Sequence, residues 1–331
     1  MNASGPERAI EISVCIVSRD RHNALGLCLS DLAGQSDPPP WEILVAADND
    51  PATEEVVAAW LPLATIVHTA GLTLGANRNR LIDCAHGTLL LFLDDDTRLR
   101  PTLLHDLAEI AAAYPTTGVF GGPNLTPEDA PWFEQVQGRL LALPLLTGPM
   151  SHRYRQLTAP IATGGRGLTL CNLAVRRQTN ARFPEHQRGG EECTLLQGLR
   201  AQGVLMLRHP ALTVEHRRRP TLRAWSRQLY KYGHGRGEQL ATSHPVAMRI
   251  GPLACVAFAL RIRRGRYVLA ATPLIAAASA TGWLAVVERS YRPRDLLGTF
   301  TQAVAIPVTY GVGVMRGILT ANPRSAKDPT G

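Results

Sequence analysis

The sequence predicts an α/β fold: a mostly parallel sheet flanked by helices, followed by a hydrophobic helical region at the C-terminal end. Short apolar runs rich in β-branched residues alternate with helical patterns over the first 122 residues, which predicts the sheet. Long runs without charge follow residue 240 and predict the apolar helices. With 331 residues, of which 45% are apolar and 19% charged, the chain can bury a sizeable core. Extensive disorder is therefore excluded.

Four strands are expected in the N-terminal half, because four continuous apolar runs have the length of buried strands. They are residues 11–18, 42–47, 64–69 and 88–93. Helical patterns lie between and after them, at residues 22–33, 53–61, 74–85 and 101–114. Thr53 is the expected N-cap of the second helix, and Pro101 the first residue of the fourth. Because strand and helix alternate, ligands are expected beyond the carboxyl ends of parallel strands.

The pattern weakens in the Pro- and Gly-rich stretch at residues 121–160, which predicts one helix at 132–143. A second ordered block and a basic, aromatic segment at residues 225–237 complete this part of the chain. We therefore expect one large domain at residues 1–240, with halves at about 8–122 and 123–240, and a separate apolar region at 241–331.

The six cysteines form no CxxC pair and lie mostly in apolar runs, so buried reduced thiols are expected rather than disulfides or a zinc site. The first ten residues lack the apolar core of a secretory signal. We therefore expect the N-terminal domain on the cytoplasmic side.

The formal net charge of +8 is concentrated late in the chain. Residues 208–236 contain eight Lys and Arg and one acidic residue. Two uncharged runs follow, of 21 residues at 267–287 and 20 residues at 296–315, each long enough to span a bilayer. Flanking arginines favour a hairpin anchored in the cell membrane, while a buried helical hairpin and interfacial helices remain alternatives.

The basic, aromatic segment has two interpretations. Interleaved Trp and Tyr could indicate nucleic-acid binding, but no known nucleic-acid-binding motif is present and apolar runs follow. Anionic membrane lipid explains the charge more simply, so we expect a lipid partner and no nucleic acid.

Three consecutive carboxylates, Asp94, Asp95 and Asp96, directly follow the apolar run TLLLFL. Their repulsion at the end of a buried strand costs several kcal/mol unless a cation is present. Carboxylate oxygens suit Mg²⁺ or Mn²⁺, which usually share their coordination with substrate phosphates. An acidic turn capping the next helix is the alternative. Phosphatase and prenyl-synthase motifs fail at Arg98, and the chain has no GxxxxGK[ST] sequence.

Over residues 11–237 the order of these motifs resembles the family 2 glycosyltransferases, which have the Rossmann-like GT-A fold. The motifs are ISVCIVSRDR, EILVAADND, GLTLGANRNRLIDCAHGTLLLFLDDD, GGRGLTLCNLAVRR and RGGEECTLLQGLRAQG. The chain departs from the family pattern at Ala47, Asn49 and Asp50, where the family usually has Asp, Gly and Ser.

The resemblance implies a nucleotide-diphosphate sugar as donor. The matching donor-binding residues are Ser18, Asp48, Asn77, Arg78, Asp94 and Asp95. It also implies a Mg²⁺ or Mn²⁺ ion held by Asp94 and Asp96, with His216 nearby. For Arg78 and His216 taken alone, an ordinary surface role is the alternative.

The resemblance further implies a catalytic base at Glu192. At this place the family carries a Glu-Asp pair and uses the second carboxylate as the base. Glu191 is the possible substitute, and two acids that favour a helix start are the simpler alternative. On the acceptor side the resemblance implies six residues: Cys171, Asn172, Trp225, Arg227, Gln228 and Tyr230. For these, a buried strand and a lipid-binding helix are the alternatives.

We therefore expect a metal-dependent, inverting glycosyltransferase that acts on a hydroxyl acceptor in cell-surface polysaccharide or glycolipid synthesis. One alternative is a transferase whose acceptor is polyprenyl phosphate. Another is an inactive, membrane-attached protein that only binds nucleotide sugar, which the departures at Ala47, Asn49 and Glu192 would allow. The nucleotide, the sugar, the linkage and the oligomeric state stay open.

Overall fold

The computed structural model describes residues 9–47, 50–69, 71–187, 189–243, 274–275, 277–282 and 293–320. The chain divides into two compact units. The first contains residues up to Pro127 together with His152–Glu185 and Glu191–Arg217. The second contains Glu128–Ser151, His186–Gly190 and Arg218–Gly331. The domain boundary expected at residue 240 stays a prediction.

The first unit is built on an eight-stranded sheet with the strand order β3-β2-β1-β4-β9-β6-β10-β8. Its strands are β1 (Ile12–Ser18), β2 (Trp41–Ala47), β3 (Ala64–His68), β4 (Leu89–Asp94), β6 (Thr117–Gly121), β8 (Ile161–Ala162), β9 (Leu173–Arg176) and β10 (Leu205–Arg208). Three short strands form a second sheet in the order β5-β11-β7: β5 (Thr97–Arg98), β7 (Asn124–Leu125) and β11 (Val214–His216). The four strands expected in the N-terminal half correspond to β1, β2, β3 and β4.

In the described part of the chain, five helices flank the large sheet, and the four expected in the N-terminal half are present. They are α1 (His22–Ala33), α2 (Pro51–Ala58), α3 (Leu74–Cys84), α4 (Leu103–Ala113) and α7 (Glu191–Ala201). Two predicted helix starts are wrong. The N-cap of α2 is Asp50, whose side chain accepts from the Ala52 N–H, and Thr53 is buried one turn further on. Pro101 lies in a turn, and α4 begins two residues later.

The mostly parallel sheet expected from the sequence is confirmed, with two antiparallel strands, β8 and β9. A 3₁₀ helix, Leu170–Asn172, precedes β9 at the edge of the sheet where β4 ends. The chain must therefore run back across the sheet, pairing Leu173 with Phe92 and Arg176 with Leu89. This reversal places Cys171 beside the end of β4.

The side chains of β4 alternate between two apolar layers. Leu89, Leu91 and Leu93 pack in the layer that contains residues of α1 and α4. Leu90 and Phe92 pack in the opposite layer with residues of α3 and α7. By the same alternation, Asp94 lies on the face that α3 and α7 cover.

The second unit contains α5 (Trp132–Leu141), α6 (Pro144–Thr147), α8 (Leu222–Ser243) and α9 (Pro293–Thr320). The start of the expected helix at 132–143 is confirmed. An apolar cluster joins α5, α8, α9 and helical residues at 277–282. Helices α8 and α9 approach closely through four glycines, at each of which an added methyl group would overlap the facing backbone: Gly233, Gly237, Gly313 and Gly317.

Among the described residues, one helix is long and apolar enough to cross a membrane, the segment Asp295–Thr320 of α9. Its most apolar window has a mean hydropathy of 1.4, and 33% of that window is buried. Most of the uncharged run at residues 267–287 lies outside the described residues. The expectation of two membrane spans therefore stays a prediction.

Candidate active site

The three consecutive aspartates lie where β4 ends, next to the end of β1. The parallel pairing of β1 and β4 brings the residues that follow β1 beside these carboxylates. Ser18 donates its hydroxyl to Asp95 Oδ2 at 2.8 Å. Arg21 Nη1 donates to Asp95 Oδ1 at 2.8 Å and to Asp96 Oδ2 at 2.7 Å. One guanidinium therefore bridges two of the three carboxylates.

Asp95 is the most deeply buried of the three, with 5% of its side chain exposed. Burial raises the pKa of Asp95 to about 6. The charge of Arg21 and the Ser18 hydrogen bond lower this pKa, while the neighbouring carboxylate of Asp96 raises it. Arg21 therefore only partly offsets the cost of holding negative charge here.

A histidine and a cysteine complete the cluster at the end of β4. His216, the last residue of β11, places Nε2 2.9 Å from Asp96 Oδ1. Cys171 places Sγ 3.1 Å from Asp94 Oδ2. The ligand atoms of Asp94, Cys171 and His216 all lie within 4.8 Å of one another. The other imidazole nitrogen, His216 Nδ1, is buried without a hydrogen-bond partner in the described part of the chain.

A buried ion pair joins α3 to the first residue of α7. Arg78 Nη1 lies 2.5 Å from Glu191 Oε1, and both side chains are almost fully buried. The Arg78 guanidinium also lies over the Phe183 ring, 5.5 Å from its centroid. Phe183 in turn meets Phe92 edge to face, with ring centroids 5.0 Å apart. Through Arg78, Phe183 and Phe92, Glu191 is thus connected to β4 at a position two residues before Asp94.

Glu192 has an arginine partner of its own. Arg153 Nη1 lies 3.3 Å from Glu192 Oε1, with 12% and 14% of the two side chains exposed. Burial alone would lower the pKa of Arg153, but the Glu192 carboxylate raises it above its usual value. Burial and the Glu192 charge together raise the pKa of the adjacent Cys193 thiol to about 11, which keeps that thiol neutral.

The two acidic clusters lie at one edge and on one face of the sheet. Helix α7 ends at Ala201 and β10 begins at Leu205, beside the first residue of β6. The opposite end of α7, which carries Glu191 and Glu192, must therefore lie toward the carboxyl ends of β6 and β10. Strands β4 and β6 are both antiparallel to β9, and β10 is parallel to β6. Strand β4 therefore runs parallel to β6 and β10. The aspartates at the end of β4 and the glutamates of α7 thus face the same region.

The residues predicted for donor binding are only partly gathered around this cluster. Asp48 and Asn49 lie outside the described residues. Ser18 and Asp95 contact each other, and Arg78 is held by Glu191. Asn77 is 2% exposed, and its Oδ1 is buried without a partner among the described residues. The donor-binding roles of these residues stay predictions.

The residues predicted for the acceptor side are divided between the two units. Cys171 and Asn172 lie in the first unit, where Cys171 contacts Asp94 and the Asn172 amide donates to the Leu212 carbonyl at 2.5 Å. The remaining four belong to α8 in the second unit: Trp225, Arg227, Gln228 and Tyr230.

Trp225 is 1% exposed and packs in the apolar cluster of the second unit, which favours a packing role over stacking on a sugar. Arg227 is exposed, Tyr230 is half-buried, and Gln228 donates to the Tyr232 hydroxyl at 2.9 Å. The acceptor-side assignment stays a prediction for all six residues.

Two arginines of the site were not predicted from the sequence. Arg21 and Arg153 are 75 and 39 residues away from the acidic residues that they neutralise. For Arg21 a signal existed, because SRDR begins at the last residue of β1, at the carboxyl edge of the sheet. For Arg153, in the irregular stretch before residue 160, the sequence offers no such signal.

The fold and the site together define a glycosyltransferase of the GT-A class. A family model, glycosyl transferase family 2, matches residues 13–178. The chain belongs to this family, which confirms the resemblance drawn from the sequence.

A solved structure with a TM-score above 0.5 shows the same fold. The mannosyltransferase PcManGT from Pyrobaculum calidifontis, in complex with GDP-Man and Mn²⁺, matches with a TM-score of 0.54 and 16% identity, over 91% of this chain and 88% of that one. TarS residues 1–349 from S. aureus match with a TM-score of 0.48 and 15% identity, over 91% and 90%. No curated protein sequence gives a match.

Proposed function

We propose that this glycosyltransferase transfers a sugar from a nucleotide-diphosphate sugar to an acceptor hydroxyl, with inversion and with a divalent metal. The observation that carries the proposal is the cluster of three aspartates at the end of β4, on the same face as Glu192, where Arg21 only partly offsets the cost of burying Asp95. His216 also contacts this cluster, through Asp96. A metal bound to the donor's diphosphate would supply the missing positive charge.

The residues at the end of β4 fit a Mg²⁺ or Mn²⁺ ion. Asp94 and Asp96 offer carboxylate oxygens, and His216 offers a buried imidazole whose Nδ1 is unpartnered among the described residues. Carboxylate oxygens suit both ions, and the imidazole favours Mn²⁺. The Cys171 thiol is a poor ligand for either ion, and burial raises its pKa well above the usual range. When bound, the metal would stabilise the negative charge of the leaving diphosphate.

Glu192 is the proposed general base. It lies in the first turn of α7 and keeps 14% of its side chain exposed, whereas Glu191 is covered and held by Arg78. A partly exposed carboxylate can reach an acceptor hydroxyl and take its proton as the oxygen attacks the anomeric carbon. Arg153 would orient this carboxylate. Glu191 would instead fix the start of α7.

We place the protein at the cell membrane, with the first unit on the cytoplasmic side. Helix α9 supports this placement because large apolar side chains along it are exposed: Leu297, Val308, Val312 and Leu319. A helix with such a surface suits lipid contact, and the acceptor would then belong to cell-surface polysaccharide or glycolipid synthesis.

The proposal is tested with the full chain in detergent micelles and a panel of UDP, GDP and dTDP sugars. Release of nucleoside diphosphate is measured with Mn²⁺, with Mg²⁺ and with EDTA. We expect at least one donor to turn over with a metal and to stop with EDTA. Undiminished turnover in EDTA would contradict the metal dependence. Donor binding without any turnover would favour the inactive binding protein.

A further inference from the structure

Arg208 is a buried arginine at the carboxyl end of β10. Met206, two residues earlier on the same face, packs in the apolar layer that α7 covers. Arg208 therefore lies on the face and at the edge of the sheet that carry the acidic clusters. It is 3% exposed, and its Nη2 donates to the His152 carbonyl oxygen. Its Nε is buried without a hydrogen-bond partner in the described part of the chain.

The charge of Arg208 has no counter-ion among the described residues. No ion pair to a carboxylate is formed there, and burial together with the nearby Arg153 charge lowers the pKa of Arg208. An arginine nevertheless stays protonated in a protein. A buried charge without a partner is destabilising, so an anion bound beside Arg208 would stabilise the protein.

The guanidinium of Arg153 lies near that of Arg208. Arg208 contacts the backbone next to Arg153, and both side chains contact the backbone at residues 166–167. Arg208 donates to the carbonyl of His152, the neighbour of Arg153. Arg153 Nε donates to the Arg166 carbonyl at 3.4 Å. The next residue, Gly167, makes room for Arg208, since a Cβ there would lie 2.6 Å from Cδ and 2.7 Å from Nε.

The charge of this arginine pair exceeds that of its acidic neighbour. Arg153 is paired with the Glu192 carboxylate, and the Cys193 thiol beside it is neutral below its pKa of about 11. Two guanidiniums and one carboxylate leave a net charge of +1. The cluster is thus suited to a single oxyanion, held by Arg208 and oriented by Arg153.

We propose that Arg208 and Arg153 bind an oxyanion, a phosphate or a carboxylate, carried by the acceptor. The inference rests on the proposed function, because Glu192 would activate the acceptor hydroxyl beside this group. It narrows the acceptor to an anionic class. Binding of the anion would offset the unpaired charge of Arg208 and would place the hydroxyl next to Glu192.

The test is titration of the full chain in detergent micelles with inorganic phosphate by isothermal calorimetry, without donor or metal. Parallel titrations with acetate and with chloride compare a carboxylate and a simple anion. We expect phosphate or acetate to bind more tightly than chloride, and the tighter of the two identifies the acceptor group. Chloride binding as tight as both would overturn the proposal.

Two substitutions of Arg208 localise the site, with Arg80→Gln as the control. Arg80 is an exposed arginine of α3, so this control loses the same charge at another helix. Arg208→Gln is expected to weaken oxyanion binding about tenfold or more, and Arg80→Gln to leave it unchanged. Should Arg208→Gln fail to fold, Arg208→Lys is used instead, because it keeps the buried positive charge. Weaker oxyanion binding is expected from Arg208→Lys, since an ammonium lacks the planar, two-pronged donor geometry of a guanidinium.

Wild-type affinity in the folded Arg208 variants would overturn the proposal. Failure of the proposed function would be recognised separately, because donor turnover by the wild-type protein is a different measurement. Donor turnover without oxyanion binding would refute only the anionic acceptor. Oxyanion binding without turnover of any donor would refute the transferase activity and leave the anion site standing.

Discussion

The two acidic clusters of the first unit differ in how far their charge is neutralised. Glu191 and Glu192 each have an arginine partner, Arg78 and Arg153. Arg21 and His216 contact the three aspartates at the end of β4, but burial still raises the pKa of Asp95 to about 6. The glutamates are therefore paired within the protein, whereas we propose that the aspartates also bind a cation. On this proposal one cluster binds metal and diphosphate and the other handles a proton.

The largest effect is expected from Asp96→Ala. It removes a proposed metal ligand that also contacts Arg21 and His216. We expect metal-dependent release of nucleoside diphosphate to fall about 1,000-fold, since a bound cation stabilises the leaving group. Circular dichroism checks that the fold is intact. Full turnover by a folded Asp96→Ala protein would contradict the proposed division of metal binding and proton transfer between the two clusters.

Glu192→Gln is expected to separate binding from transfer. The substitution keeps the shape of the side chain but removes the base, so transfer should fall between about 100- and 1,000-fold. Donor affinity should stay within about twofold of wild type, because Glu192 belongs to the other cluster. The measurements are acceptor-dependent turnover and donor binding by calorimetry. Glu109→Gln, at an exposed position of α4, is the control that should change neither.

Glu191→Gln is expected to act on stability. It leaves the buried Arg78 guanidinium without a counter-charge, which costs about 3 kcal/mol of unfolding free energy. Chemical denaturation of the variant and of Glu192→Gln compares the two glutamates directly. An equal loss of stability in both would show that burial does not distinguish them.

A pH effect is expected from Asp95 in the metal-free protein. Its folded-state pKa of about 6 lies above the ordinary value, so at pH 5 the folded protein binds a proton that the unfolded chain has lost. The free energy of unfolding therefore falls as the pH rises from about 4 to about 6, with a contribution of about 2 to 3 kcal/mol from this group.

The matching variant is Asp95→Asn, which cannot ionise. We expect its free energy of unfolding to change less between pH 5 and pH 7 than that of the wild type, with both proteins in EDTA. An identical pH dependence in the two proteins would show that Asp95 is not held at a raised pKa.

The parts of the fold that sequence patterns predicted are those set by local periodicity. The run TLLLFL predicted β4 with the aspartates at its end, and the helical patterns at residues 22–33 and 74–85 predicted α1 and α3. The antiparallel direction of β9 was not predicted. It depends on where the preceding chain lies in space, which no local pattern encodes.

The partners of the charged residues also required the structure. Arg78 was predicted to contact the donor from its motif, but its observed partner is Glu191, 113 residues away. The resemblance implied an acceptor-side role for Trp225, and the structure shows this side chain buried among apolar side chains. In each case the residue type was informative, while the contact depends on tertiary packing.

The most direct test of the division between the clusters is Mn²⁺ binding, measured by electron paramagnetic resonance with nucleoside diphosphate present. We predict that wild type and Glu192→Gln bind one Mn²⁺ ion with similar affinity and that Asp96→Ala binds it at least about tenfold more weakly. Equal Mn²⁺ affinity in Asp96→Ala and wild type, or loss of Mn²⁺ binding in Glu192→Gln alone, would contradict it.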